Sequence, residues 1–484
     1  MILQTDRGTP IVYNVSTMAV ERWPDTSAPA AQSPARPSAE GSAPTAAANA
    51  GTPVSHVIET LKAAGVRTVR VSHCDLFGKC RSKELPVDRL ELATTGLGYC
   101  VISMIEDIHG NPLDLPGFAG DSSFPDMHAV ADLTTGRVLP WEPDTAWFIS
   151  DLHHDRGLSP RGALRRVCFK LEALGISAQV APELEFYLLR GGDAQARYGG
   201  DTGMAYTTGR RADPTGAVKR MHRALDELGL EVTTANHEFS PGQFEINLHH
   251  GAALAAADRA FLFKEAVREL AHHEGLEANF MAKPFSDAEG SSYHMHVSLM
   301  RDGANLFAQP DGERGLSEMC LAFTAGILAH AEGLTALGAP TINSYRRLVP
   351  ESMAPTRADW GHDHRFTYLR IPSERGAATR VEARAGDATA NPYLLQAGIL
   401  LAGLDGIQRR LRPDPPQVAG ADSRGRVLPA SLARALDALE GDEVLVDGLG
   451  DELVRTFVAL KRNEIERERR HVSDWDWAEY AFHS

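Results

Sequence analysis

Two segments of the chain place acidic or imidazole side chains two residues apart, the interval at which a β-strand turns them to one face, and two more carry glutamates on either side of a break or between arginines. In VAPELEFYLL, Glu183 and Glu185 project together while Leu184, Phe186 and Leu188 project oppositely. In NHEFSPGQFEINLHH, Glu238 and Glu245 are separated by an odd interval, which one regular strand would split between two faces. Ser240-Pro241-Gly242 breaks that strand between them and can restore a common direction. In SSYHMHVSL, His294, His296 and Ser298 share one face and Tyr293, Met295, Val297 and Leu299 the other. In TRVEARAGD, Arg380, Glu382 and Arg384 stand together, opposite Val381 and Ala383.

Singly, each segment has an ordinary explanation: a solvated edge, a surface hairpin, a histidine pair, a salt-bridge ladder. Lining one cavity, the five glutamates Glu183, Glu185, Glu238, Glu245 and Glu382 would crowd like charges that cannot all stay ionised without cations. Oxygen-rich ligation with one imidazole suits Mg2+ or Mn2+ better than a thiolate-loving metal. Two such ions would come close to balancing the five carboxylates, and a two-metal clamp is a natural device for phosphoryl transfer.

The elements that must position these groups are legible around them. In VSHVIETLKAAGV, Val57, Ile58, Leu61 and Ala64 form a helical stripe with Gly65 as a left-handed stop. VRTVRVSHCD and CRSKELP alternate as strands joined through 76–79, and DTAWFISDL is a further strand ending near Leu152. From Ser159 longer helices alternate with strands. Ser159-Pro160 starts one carrying Leu164, Val167, Cys168, Leu171 and Leu174, and Gly175 stops it. Asp213-Pro214 opens a second with Val218, Met221, Leu225 and Leu228, and Asn391-Pro392 caps a third. The stretch 431–471 reads as helical, charge-rich and surface-like.

At 484 residues the chain is long enough for two domains and extra segments. Residues 27–51 are almost entirely Ala, Pro, Ser and Gly, so 1–52 is expected to be a disordered arm. The division that follows is a small domain over 53–152 and a larger one over 153–484. A net charge of −15 repels nucleic acid and anionic lipid, excluding both as partners, and would favour cationic ligands such as amines. Five scattered cysteines without a CxxC pair indicate neither zinc knuckle nor disulfide framework, and a reducing cytoplasm is expected. Neither a signal-peptide core nor an apolar run of about 20 residues is present, so no membrane segment is expected.

The segments APELEFYLL, NHEFSPGQFEIN, FMAKPFSDAEGSSYHMHVSL, NSYRRLVPESMAP, HRFTYLRIP, TRVEARAGDATANPYLLQAGILLAGLDGI and LPASLARALDAL, in this order, resemble the glutamine synthetase family. The likeness runs from Val54 to the C-terminus and is weakest in the small domain. It implies an α+β fold: a β-grasp-like N-terminal domain followed by a catalytic domain with an open, polar-lined antiparallel sheet backed by helices. Carried over residue by residue, it implies that Glu185, Glu238 and Glu245 hold a metal beside glutamate. Glu183, His294 and Glu382 would hold the metal at the ATP phosphates. Gly290, Arg347 and Arg384 match glutamate-binding positions, and His296, Ser298, Arg370 and Arg380 match ATP-side positions. Arg365 matches the arginine that neutralises the transferred phosphoryl group. The implied reaction phosphorylates the glutamate γ-carboxylate with ATP, after which an amine displaces phosphate. A mobile loop around 343–362 would close over the intermediate, and two stacked rings of six subunits would form a dodecamer.

The departures from the family pattern cluster on the amine side. Where the family's loop usually reads P-G-Y-E-A-P, with a glutamate taking a proton from ammonium, this chain reads Pro350-Glu351-Ser352-Met353-Ala354-Pro355. Met353 can neither hold a cation by charge nor take its proton, leaving Glu351 as the candidate in that loop. The family's D-G-S-S loop is missing, with Glu106 or Asp107 in roughly that region. Glu289 replaces an asparagine, and the run Gly290-Ser291-Ser292 matches relatives that ligate larger amines. No tyrosine lies between Ala419 and Pro429, so adenylylation control is not expected. The expectation is therefore a γ-glutamylamide synthetase branch enzyme acting on ethanolamine, a polyamine or another monoamine. Authentic glutamine synthetase using ammonium and a catalytically silent ring-forming homologue are the alternatives.

Overall fold

The computed structural model describes residues 3–4, 10–11 and 51–482, except 116–117, 119–123, 193–195, 200–203, 419 and 421–422. The chain divides into the units Met1–Pro37 and Ser38–Ser484. In the first, Leu3–Gln4 pairs antiparallel with Pro10–Ile11. The rest of the expected 1–52 arm, up to residue 50, lies outside the described residues.

The second unit holds two principal sheets. In the smaller one, the hairpin Thr68–Cys74 and Cys80–Pro86 lies beside Glu142–His153, which runs parallel to the first hairpin strand. Asp126–Ala131 and then Leu97–Cys100 extend it antiparallel. Val69, Val71, Ala146 and Phe148 alternate onto one face and pack with Val57 and Leu61 of the helix Val54–Ala63. Removing such side chains from water contributes roughly 1.5–3 kcal/mol each.

The larger sheet runs Val232–His237, Gln243–Leu248, Ser177–Arg190, Tyr293–Arg301, Val381–Ala383, Leu369–Ile371 and Trp360–His362. Its neighbours are antiparallel apart from the last pair, which is parallel. That parallel pair lies at the end of an otherwise antiparallel sheet, where the chain passes from Trp360–His362 to Leu369–Ile371 through 363–368. The apolar face carries Leu184, Phe186 and Leu188, all fully buried. Phe186 meets Phe263 of the helix Ala253–His273 at 6.0 Å between ring centroids. Beneath it runs Pro392–Gln408, capped by the Asn391 side chain as its Asn-Pro start requires. Gly326 of the helix Glu318–Ala329 meets Gly406, and a Cβ there would run into the Ala402 carbonyl. Among the described residues no single helix is long and apolar enough to cross a membrane.

Two local expectations shift. The helix assigned to start at Asp213-Pro214 begins at Ala217; Asp213 instead accepts the backbone N–H of Lys219 from outside the helix. The 431–471 stretch forms helices Leu432–Glu440, Glu443–Leu449 and Asp451–Arg469, but it is not merely surface: Leu436, Leu439, Leu453 and Phe457 are buried.

One ion cluster ties the small sheet to the helices behind the large one. Arg161, 3% exposed, donates two bonds of 2.8 Å to Asp258, one of 2.6 Å to Asp151 and one of 2.9 Å to Asp132. Arg161→Met would leave buried Asp258 without its guanidinium and Asp132 and Asp151 to Arg165 alone, so a loss of about 3–5 kcal/mol is expected in denaturant unfolding. A loss below about 1 kcal/mol would show that Arg165, which also reaches Asp151, suffices alone.

Candidate active site

Strand register assembles the polar face. Glu245 lies opposite Glu185, Glu183 opposite His294, His296 opposite Glu382, and Glu382 opposite Arg370. Directly opposed residues share a face, so segments up to two hundred positions apart present one continuous row. Ser240-Pro241-Gly242 makes the expected reversal: the Glu238 N–H donates to the Gln243 carbonyl at 2.9 Å. Glu238 thereby stands opposite Gln243, which shares the face of Glu245.

Ligand-type atoms of Glu183, His294 and Glu382 lie within 4.8 Å of one another, and so do those of Glu185, Glu245 and His294. His294 thus joins both groups. Glu238 stands off from them, held by a 2.7 Å bond from Asn236. The set is oxygen-rich with one imidazole, and its charge is unbalanced on one side. Burial and then Glu185 raise Glu238 to about 7, and burial, Glu183 and Glu185 push Glu245 well above the usual carboxylate range. His294 is pushed down by burial and by Arg384, leaving a neutral imidazole able to ligate. These donors fit hard divalent cations such as Mg2+ or Mn2+.

The other side is already compensated. Burial alone would raise Glu382, but the Arg384 guanidinium foremost outweighs it, and the carboxyl is held at about 2. Arg370 donates to it at 2.6 Å and Arg384 bonds its other oxygen. Arg380 Nε donates to His296 Nδ1 at 3.1 Å, which leaves the imidazole proton on Nε2 to donate to Glu183 at 2.9 Å. Ser298 lies two residues further along that face.

Arg347 is buried beneath the sheet's edge, donating to the Ala385 carbonyl at 3.1 Å and to Ser292 Oγ at 2.9 Å. Gly290 is what admits it: a Cβ there would stand 2.8 Å from Arg347 Cδ and 2.6 Å from the Ala282 carbonyl. Arg365 is exposed, its carbonyl accepting from Arg384 Nε at 2.9 Å. The 343–362 segment is anchored by the helical turn Ile342–Arg346 and by buried Leu348 and Ala354, while Glu351, at φ 68°, and Met353 face solvent. Glu106 and Asp107 are both engaged within the chain, by Arg81 and Arg467 at 3.2 Å each.

Sequence reasoning missed the residues that aim Glu185. Gln243 Nε2 donates to it at 3.1 Å and to the Gly290 carbonyl at 3.0 Å, and the Ser292 N–H donates to it at 2.7 Å. Gln243 carried a signal, standing two residues before Glu245 on the same face.

Residues 157–480 match the model of the glutamine synthetase catalytic domain. A glutamine synthetase of Methanocaldococcus jannaschii is 34% identical over 459 residues, spanning 89% of this chain and 98% of that one. A glutamate–isopropylamine ligase of a Pseudomonas species is 33% identical, spanning 86% and 95%. A solved structure described as a GmaS/ADP complex superposes with a TM-score of 0.80 at 31% identity, covering 88% of this chain and 99% of that one.

Proposed function

The chain belongs to the glutamine synthetase family, and from that membership we propose that it is an ATP-dependent γ-glutamylamide synthetase whose nucleophile is an organic amine. A γ-carboxylate oxygen of glutamate attacks the terminal phosphorus of ATP, releasing ADP and forming γ-glutamyl phosphate. The amine nitrogen then attacks the acyl carbon, phosphate leaves with the former carboxylate oxygen, and the nitrogen gives up a proton. Glu183, His294 and Glu382 would hold a cation on the ATP side, and Glu185, Glu238 and Glu245 one beside glutamate. Bound there, Mg2+ or Mn2+ supplies charge neutralisation for the transferred phosphoryl group.

The chain's own residues do the rest. Arg347 and Arg384 offer forked donors to the glutamate carboxylate, with Gly290 leaving room for its backbone. His296, Ser298, Arg370 and Arg380 take the nucleotide, and Arg365 meets the phosphoryl charge. Glu351 is the loop's candidate proton acceptor. The proposal includes residues 53–152 as a β-grasp-like domain ahead of a catalytic domain at 153–484, two stacked hexameric rings, and a cytoplasmic setting.

The observation that carries the amine reading is Met353, 41% exposed in the loop where the family keeps its proton-accepting glutamate. An unbranched thioether there removes the charge suited to ammonium and leaves apolar surface for a substituent. The names of the isopropylamine ligase and of GmaS support it; the several relatives named glutamine synthetase favour ammonium instead. ADP release should be measured with glutamate, ATP and Mg2+ against ammonium, methylamine, isopropylamine, ethanolamine, putrescine and spermidine. At least one organic amine is expected to exceed ammonium in kcat/KM by roughly tenfold. Met353→Glu is expected to raise ammonium use by roughly tenfold or more. Preference of the unaltered protein for ammonium would overturn the amine reading.

A further inference from the structure

A cavity of about 360 Å³ lies away from the catalytic face, between the 76–79 hairpin tip of the small sheet, the strand Leu276–Asn279 and the helices Ala253–His273 and Asp451–Arg469. None of the candidate metal or substrate residues lines it. We propose that it is a binding site for a small organic anion with an apolar or aromatic body.

Its walls are charge-biased. Lys79, Lys264, Arg268 and Lys461 line it against a single acid, Glu277. Lys264 is the central observation. It is 5% exposed, its ammonium reaches only the Ala390 carbonyl at 3.3 Å, and among the described residues no carboxylate lies within ion-pair distance of it. Lys461, by contrast, has Glu464 at 3.2 Å, and Arg268 has Glu265 at 3.1 Å. Asp387 and Glu265 attract Lys264 only from beyond ion-pair distance, so its burial is incompletely compensated, and an anion in the cavity would offset that cost. Burial, and then the neighbouring Arg268, push Lys264 down to about 7.

The same cations lie over aromatic rings. Arg268 sits 5.0 Å from the Phe280 centroid, and Lys461 sits 4.5 Å from that of Phe77. These rings hold the cationic heads in place and give the remainder of the ligand an apolar wall. The volume is in the range of small-molecule sites, roughly 300–1,000 Å³. An occupant would bridge the small sheet's hairpin to Thr341, whose hydroxyl caps the turn leading into Arg347.

The test is calorimetric titration of the full-length protein, with glutamate saturating, by benzoate, phenyl phosphate, inorganic phosphate and uncharged benzamide. Benzoate or phenyl phosphate is expected to bind saturably at one site per chain, with benzamide about tenfold weaker or worse. Lys264→Met keeps the side chain's bulk and is expected to weaken the anion about tenfold. Arg268→Gln, at a side chain 42% exposed, is the milder change and is expected to weaken it several-fold, with thermal unfolding measured alongside. Benzamide binding as well as benzoate, unchanged affinity in both variants, or loss of binding caused by glutamate would each overturn the proposal. Inorganic phosphate matching phenyl phosphate would refute the apolar half of it. Because glutamate occupies the catalytic face throughout, failure here is separate from failure of the ligase reading.

Discussion

Replacing Glu382 by Ala is expected to lower kcat/KM by roughly 10²–10³ or more with every amine, ammonium included. Glu382 is 1% exposed and shares its ligand group with His294, which also belongs to the group of Glu185 and Glu245. One of its oxygens lies 3.9 Å from His294 Nδ1, and its carboxylate takes both Arg370 and Arg384. Alanine removes a ligand from the cation set proposed for the ATP side and releases the two guanidiniums of Arg370 and Arg384. Phosphate charge and cation would then be misbalanced together. The same change strands the arginines, so thermal unfolding is measured alongside, and Glu382→Gln, which keeps the shape, separates the two effects. A folded Glu382→Gln protein retaining most of its turnover would contradict the assignment.

Gly290→Ala is expected to raise the KM for glutamate by roughly 10²-fold while changing that for ATP little. The added methyl would stand 2.8 Å from Arg347 Cδ and 2.6 Å from the Ala282 carbonyl, closer than real Cβ contacts allow. The carbonyl is backbone and yields poorly, so Arg347 must move. Arg347 in turn is fixed by Ala385 and Ser292, so its shift passes into the loop that aims Glu185. A displacement near 1 Å is enough to cost that factor. Equal rises for both substrates would instead place the damage in the whole sheet, and no rise would remove Arg347 from the glutamate pocket.

Which of these residues could be read from the chain follows from the range of the interaction. Alternation is local, so the inward faces of VAPELEFYLL and SSYHMHVSL were plain, as were the Asn391-Pro392 helix start and the 76–79 hairpin. The break at Ser240-Pro241-Gly242 was equally local. Register between distant strands is not local: nothing near Glu183 states that it faces His294, or near Glu245 that it faces Glu185. For the same reason the sharing of His294 by two carboxylate groups, and the distance kept by Glu238, appear only in three dimensions. Gln243 is hard to single out because amide side chains are common, and Ser292 because it reaches Glu185 with a backbone N–H that its residue type does not announce. The start of the Ala217–Glu227 helix was misplaced because Asp213 caps it from a turn before it rather than from its first residue. Lys264 reads in the sequence as one cation on a helix; its burial beside a cavity belongs to the packing of the 76–79 hairpin tip against the helices Ala253–His273 and Asp451–Arg469.

The central claim is that the polar face activates the glutamate γ-carboxylate by phosphorylation. Glutamate carrying a heavy oxygen isotope in that carboxylate, incubated with ATP, Mg2+ and the preferred amine, tests it directly by mass analysis of the released phosphate. One labelled oxygen is predicted in each phosphate formed with amide, because the carboxylate oxygen leaves with phosphorus. Phosphate free of label while amide accumulates would contradict the account.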